Sequence, residues 1–231
     1  MTAPRGDIPK GALVVSCQAR EDNPLHGPSF MAAMAQAAAQ GGAGAIRANG
    51  PGDIAAIRAA VDLPVIGILK RFMEGVPVYI TPSFADAKAV AAAGADIVAI
   101  DATARDRGGG ETLADLIDAI RGRLGVPVFA DVSTLDEGLA AEAAGAAYVA
   151  TTLAGYTGPA AVARDAGPDL DLLAALVAAC RVPVVAEGRF DSPDLAARAL
   201  ALGAHAVVVG TMITNPREIS RRFAAALSDR C

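Results

Sequence analysis

AAAGADIVAID, residues Ala91 to Asp101, holds the junction on which the fold turns. An Ala-rich run suited to a helix ends at a Gly able to adopt the left-handed C-cap conformation, and a β-branched strand starts at once. The junction returns as AAQGGAGAIRA (Ala38 to Ala48), AEAAGAAYVATT (Ala141 to Thr152) and ALGAHAVVVGT (Ala201 to Thr211). A second junction alternates with it, a helix ended by X-Pro-Val. It reads LPVIGILKR (Leu63 to Arg71), VPVFADVST (Val126 to Thr134) and VPVVAEGRF (Val182 to Phe190). Proline stops the helix and is tolerated as the first residue of a strand.

With ALVVSCQ (Ala12 to Gln18) placed before them, these segments predict eight strands. The intervening segments predict helices over Ser29 to Gln40, Pro51 to Val61, Ser83 to Ala93, Glu111 to Leu124, Leu135 to Ala144, Leu170 to Cys180, Ser192 to Leu202 and Pro216 to Leu227. The strands are short continuous apolar runs, as a parallel sheet buried on both faces requires. Eight β-α units in 231 residues predict an α/β fold, a (β/α)₈ TIM barrel forming a single domain over residues 1–231. An open doubly wound sheet is the alternative, but no Gly-rich dinucleotide fingerprint follows the first strand. Capping residues before proline in Asp191-Ser192-Pro193 and Asn215-Pro216 support the register.

Composition narrows the class. Hydrophobic residues make up 53% and charged residues 19% of the chain, which is globular rather than disordered. The formal net charge of −5 argues against a nucleic-acid or membrane-surface partner, so an anionic ligand needs a local positive site. Cys17, Cys180 and Cys231 are odd in number and lack metal or redox spacing, and they read as free thiols of a reducing compartment. The start MTAPRGDIPKGALVVSCQ has no apolar h-region with a cleavage site, and no run approaches the ~20 apolar residues of a membrane helix. A cytoplasmic protein with no membrane partner is expected.

Polar residues stand out where a buried strand should be apolar. Gln18, Arg47, Lys70, Asp101, Asp131, Thr152 and Glu187 each close or nearly close a strand on its C-terminal side. A closed barrel brings these positions to one rim, where this fold builds its chemistry. The strand-to-helix loops Arg71 to Pro82, Ala104 to Gly110 and Gly155 to Asp169 are long and lie on that rim. Lys70 becomes a base when burial and cationic neighbours lower its pKa, and Arg47 and Arg71 are available for this. Glu187 offers a second acid-base group or a substrate contact, while Arg47 and Gln18 are donors for a carbonyl, amide or hydroxyl.

Phosphate has its own signal. The loops after the seventh and eighth strands, Gly188 to Phe190 and Gly210-Thr211, carry glycines that let a backbone approach an anion. Gly188, Arg189, Gly210 and Thr211 are the candidate phosphate residues. His205, at the barrel bottom, reads as structural, His26 as a solvated loop residue, and Cys17 as a packed apolar group. Tyr156 and Thr157 are placed to close over a ligand. No His/Cys/carboxylate spacing suggests a metal, and none is expected.

Taken jointly, VVSCQ, AIRANG, IGILKR, DIVAIDAT, ADVST, TTLAGYTG, VAEGRF and VGTMIT resemble the motifs of N-acetylmannosamine-6-phosphate 2-epimerases, in the family order and over nearly the whole chain. The resemblance implies a cytoplasmic enzyme of amino-sugar and sialic-acid catabolism. It would interconvert N-acetylmannosamine 6-phosphate and N-acetylglucosamine 6-phosphate without metal, nucleotide or other cofactor, as a homodimer. It implies Lys70 and Glu187 as catalytic residues and Gln18, Arg47 and Asp131 as substrate-holding ones; Thr152 joins the substrate-binding set from its place at a strand end. The chemistry would be removal and return of the proton on carbon 2 of the open-chain sugar. One position departs from the family: Asn215 stands where Arg is common, with Arg217 or Arg189 as substitutes. Two other readings stay open, a Schiff-base aldolase or decarboxylase using Lys70 as nucleophile, and a non-catalytic phosphosugar-binding barrel.

Overall fold

Both kinds of junction do in three dimensions what their residues dictate. In a computed structural model, which describes residues 6–157 and 166–228, eight strands close into a barrel in sequence order. They are β1 (Ala12–Cys17), β2 (Ala45–Asn49), β3 (Val65–Ile68), β4 (Ile97–Asp101), β5 (Val128–Asp131), β6 (Tyr148–Ala150), β7 (Val184–Glu187) and β8 (Ala206–Val209). Every neighbouring pair is parallel, and β8 returns to β1 through the register Ala12 with Ala206 and Val15 with Val209. The helices are α1 (Pro28–Gln40), α2 (Pro51–Ala60), α3 (Phe84–Ala92), α4 (Leu113–Ala119), α5 (Leu135–Ala144), α6 (Leu170–Ala179), α7 (Pro193–Ala201), α8 (Thr211–Thr214) and α9 (Pro216–Ser228).

Residue parity along each strand sorts the core into two layers. Val14, Ala45, Ile66, Ala99, Phe129, Ala150, Val185 and Val208 fill the barrel. Their neighbours Val15, Ile46, Val65, Val98, Ala130, Val149, Ala186 and Val207 face the helices. Arg47, Asp101, Asp131 and Glu187 each lie two residues beyond an inward-facing residue, so they share its parity and point into the mouth. At Gly67 the outer layer is tight: a Cβ there would come within 2.5 Å of Val90 and 2.6 Å of Ala95. That close approach of α3 holds β3, and hence Lys70, in place.

Three details differ from the sequence reading. The segment expected as helix to Leu124 leaves α-geometry after Ala119, and Ile120–Leu124 forms a π-helical turn ending at left-handed Gly125. This wider turn sets Arg123 over the Phe84 ring, 4.0 Å from its centroid. The long loop Arg71 to Pro82 is a small hairpin, with antiparallel bridges between Lys70 and Ile80 and between Met73 and Val76. Gly75, at φ 75°, makes its turn. After β8 the chain forms the short α8 before the tail helix. The expected caps are present, Ser192 Oγ accepting from Leu195 N at 3.4 Å and Asn215 Oδ1 from Glu218 N at 3.3 Å. Residues 158–165 of the sixth long loop, and Cys231, lie outside the described residues.

Candidate active site

The mouth is organised around Arg47, which projects from β2 and is 1% exposed. Its Nη1 and Nη2 donate to Asp131 Oδ1 at 2.9 Å and Oδ2 at 2.6 Å, and Nη1 also donates to Glu187 Oε2 at 2.7 Å. The guanidinium lies 5.2 Å from the centroid of the Phe129 ring, which forms the apolar floor. Thr152, in the turn after β6, donates to Asp131 Oδ1 at 2.5 Å. Thr151 Oγ1 donates to Glu187 O at 2.8 Å and accepts from Glu187 N at 3.0 Å, clamping the end of β7. Burial by itself would lower the Arg47 pKa, but Asp131 and Glu187 outweigh it and the pKa rises, so the guanidinium stays charged.

Lys70 stands across this cluster. Its backbone N–H donates to Asn49 Oδ1 at 2.9 Å, tying the end of β3 to that of β2. The side chain is exposed at the mouth and shares the inward parity of Ile66 and Ile68. Burial lowers its pKa to about 8, reinforced by the charges of Arg47 and Arg20 and opposed by Glu187 and Asp131. Glu187 moves the other way: burial, with Asp131 adding to it, lifts its carboxyl to about 7 against the pull of Arg47 and Lys70. A base and an acid whose affinities for the proton have moved towards each other therefore sit at one mouth.

Gln18 lies just past β1, its Nε2 donating to Ser16 Oγ at 2.9 Å, and its Oε1 is buried without a partner. Gly188 has φ 107°, a conformation that favours glycine. Gly210 precedes α8, and a Cβ on it would come within 3.2 Å of Ser16 Cβ, so β1 and β8 approach closely here. Thr211 begins α8.

Some expectations are corrected. Arg71 was expected to lower the Lys70 pKa, but its guanidinium is paired with Asp86 at the start of α3. Arg20, from the loop after β1, exerts that influence instead. Arg47, expected as a donor to ligand, already spends its Nη groups on two carboxylates, and its Nε is buried with no partner. Arg189 does not reach forward as a free cation. It has φ 58° and donates to Gly167 O and to Ala154 O, at 2.6 Å for the latter, with Tyr156 beneath it. Arg217 is likewise engaged, with Asp22.

His205 meets Ile8 O at 2.7 Å on the bottom face, and exposed His26 meets Ala19 O at 3.1 Å. Burial, with Asp53 adding to it, pushes the Cys17 thiol up to about 12, so it stays protonated. Among the described residues, no group of three or more His, Cys, Asp or Glu side chains is placed to hold a metal ion. No described helix is long and apolar enough to cross a membrane.

Sequence reasoning passed over Asn49, Tyr79 and Arg105. Tyr79 comes inward on the hairpin, stacked on Phe72 at 5.3 Å. Its hydroxyl pKa is raised by burial and by Asp131 and Asp101, so it remains a donor. Arg105 pairs with buried Asp101 at 2.6 Å. Only the length of their loops hinted at these two. Asn49 could have been read from AIRANG, where it ends the strand.

Comparison with known proteins agrees with this geometry. Residues 31–229 match the family "Putative N-acetylmannosamine-6-phosphate epimerase". A relative from Thermosynechococcus vestitus is 52% identical over 94% of this chain and 94% of its own length. Another, from Enterobacter sp., is 50% identical over 96% of this chain and 94% of its own. Both are described as "Putative N-acetylmannosamine-6-phosphate 2-epimerase". Among solved structures, the N-acetylmannosamine-6-phosphate 2-epimerase from Clostridium perfringens superposes with a TM-score of 0.92 at 42% identity, covering 98% of this chain and 97% of that one. A thiamine phosphate pyrophosphorylase from Pyrococcus furiosus, at TM-score 0.56 and 22% identity, shares the fold alone. The chain belongs to the N-acetylmannosamine-6-phosphate epimerase family.

Proposed function

We propose that this protein interconverts N-acetylmannosamine 6-phosphate and N-acetylglucosamine 6-phosphate by moving the proton on carbon 2 of the open-chain sugar. The observation that carries the reading is the placement of Lys70 and Glu187 at one mouth around the Arg47–Asp131–Glu187 ion cluster, where the surroundings lower the lysine's pKa and raise the glutamic acid's. Neutral Lys70 removes the carbon-2 proton, which the adjacent aldehyde acidifies. Glu187 in its acid form donates to the aldehyde oxygen as negative charge develops there. After the enol has turned in the site, the Lys70 ammonium returns a proton to the other face of carbon 2 as the enol oxygen gives its proton back to Glu187. Tyr79 supplies a neutral donor to the same space, and Gln18 and Thr152 line it. Arg47 and Asp131 act as positioning groups, since their polar atoms are largely satisfied by one another. Stabilisation of such developing charge is typically worth about 3 kcal/mol per well-placed donor.

The phosphate is assigned to the mouth between β7 and β8, with backbone from Gly188, Arg189, Gly210 and Thr211. The acid-base pair accounts for the chemistry without a metal or nucleotide. A homodimer is part of the proposal: α9 has no buried residue, and it exposes Phe223 and Leu227. A cytoplasmic role in sialic-acid and amino-sugar catabolism fits a substrate of this kind. The test is proton NMR of N-acetylmannosamine 6-phosphate with the protein in chelator-treated buffer. Growth of the N-acetylglucosamine 6-phosphate signals is expected, and an unchanged spectrum overturns the assignment.

A further inference from the structure

The mouth holds several cations, and nearly all are spoken for. Arg47 is held by Asp131 and Glu187, Arg71 by Asp86, and Arg105 by Asp101. Arg107 lies buried against Asp101 O, and Arg189 is bound to the carbonyls of Gly167 and Ala154. Lys70 has to be neutral when it works as a base. Among the described residues of the rim loops, the remaining cation is Arg20, which is exposed and whose guanidinium has neither an ion pair nor a hydrogen bond. Of the acids beside it, Asp22 is taken by Arg217.

Arg20 is held in a definite place. Its carbonyl accepts from Asn23 N at 2.9 Å, closing a turn in the loop after β1. That loop is fastened to the segment following β8: Asn23 Nδ2 donates to Asn215 Oδ1 at 3.4 Å, and Thr214 Oγ1 donates to Ser16 O at 2.8 Å. The loop that carries Arg20 is thus tied to the segment that follows the Gly210-Thr211 turn. The charge of Arg20 is felt at Lys70, on the same rim. Backbone N–H groups at glycine turns supply hydrogen bonds but no net charge, and the chain carries a formal −5. A dianion entering this mouth needs a mobile, unneutralised cation beside the turns.

We propose that Arg20 is the side chain that receives the phosphate of the substrate and sets the preference for phosphorylated over unphosphorylated sugar. This rests on the epimerase reading above for the identity of the sugar. It does not rest on it for the anion site, which can be probed with inorganic phosphate alone.

The test uses the full chain and three variants, Arg20→Gln, Arg20→Met and Arg20→Lys. Inorganic phosphate binding is followed by titration calorimetry, and KM and kcat are measured with N-acetylmannosamine 6-phosphate. Without the charge, phosphate affinity should fall and KM should rise at least about tenfold, or about 1.4 kcal/mol. The change in kcat should stay within about threefold, because a contact to the phosphate is made equally in the ground and transition states. Arg20→Lys should recover most of the loss. Unchanged phosphate affinity in Arg20→Gln and Arg20→Met overturns the proposal, as does a loss confined to kcat, or a wild type that turns over sugar phosphate but binds no phosphate. Phosphate binding that depends on Arg20 in a protein that fails to epimerise would leave this assignment standing and remove the epimerase reading instead.

Discussion

Changing Glu187 to Gln probes the proposed acid-base pair most directly, because the structure sets the size of the effect. The active form needs Lys70 neutral and Glu187 protonated. With ordinary values of 10.5 and 4.5, that form would be about one part in 10⁶ of the lysinium-carboxylate pair. With values of about 8 and 7 it is about one part in ten. The opposite shifts of the two groups around Arg47 therefore raise the competent population by orders of magnitude. For the wild type, kcat/KM should trace a bell with apparent limbs near 7 and 8, reported for the pair as a whole. Below the lower limb Lys70 is protonated, and above the upper one Glu187 has lost its proton. In Glu187→Gln the falling limb should disappear. The single rising limb that remains should report Lys70 alone, at a value below about 8 because the carboxylate that raises the Lys70 pKa is gone. Initial rates by NMR from pH 6 to 9.5 measure this, with the second ionisation of the substrate phosphate, near 6, fitted separately. A flat wild-type profile between about pH 5 and 10, or a falling limb that survives in Glu187→Gln, would refute the reasoning.

Lys70→Met, which keeps the stem and removes the base, should lower epimerisation and deuterium wash-in at carbon 2 by about 10²–10⁴-fold; full wash-in would move the base elsewhere. Arg47→Met strands buried Asp131 and Glu187 without their counter-ion and should cost about 3–5 kcal/mol in urea unfolding, with a loss below about 1 kcal/mol arguing that the ion cluster is more solvated than its burial indicates. Deleting the chain from Ile219 onward removes the exposed face of Phe223 and Leu227. Light scattering should report twice the chain mass of 23.1 kDa for the wild type and a monomer after truncation; a monomeric wild type ends the homodimer reading.

The barrel was legible in the sequence because each of its instructions is local. Gly-Ala and X-Pro-Val act on φ and ψ within a few residues, and their alternation writes the eight β-α units directly. Parity did the same for the site: polar residues ending apolar strands can sit together only on the C-terminal rim. The partnerships there were beyond reach. Arg71 and Arg20 look alike as exposed arginines after a strand, and only the packing of α3 gives one of them Asp86 while leaving the other free. Tyr79 reads as part of a loop until the bridge between Lys70 and Ile80 folds that loop inward. The converged pKa values of Lys70 and Glu187 exist only once Arg47, Asp131 and the Phe129 floor are gathered from distant strands. Desolvation and Coulomb interaction depend on distances through space, and separation along the chain does not encode them.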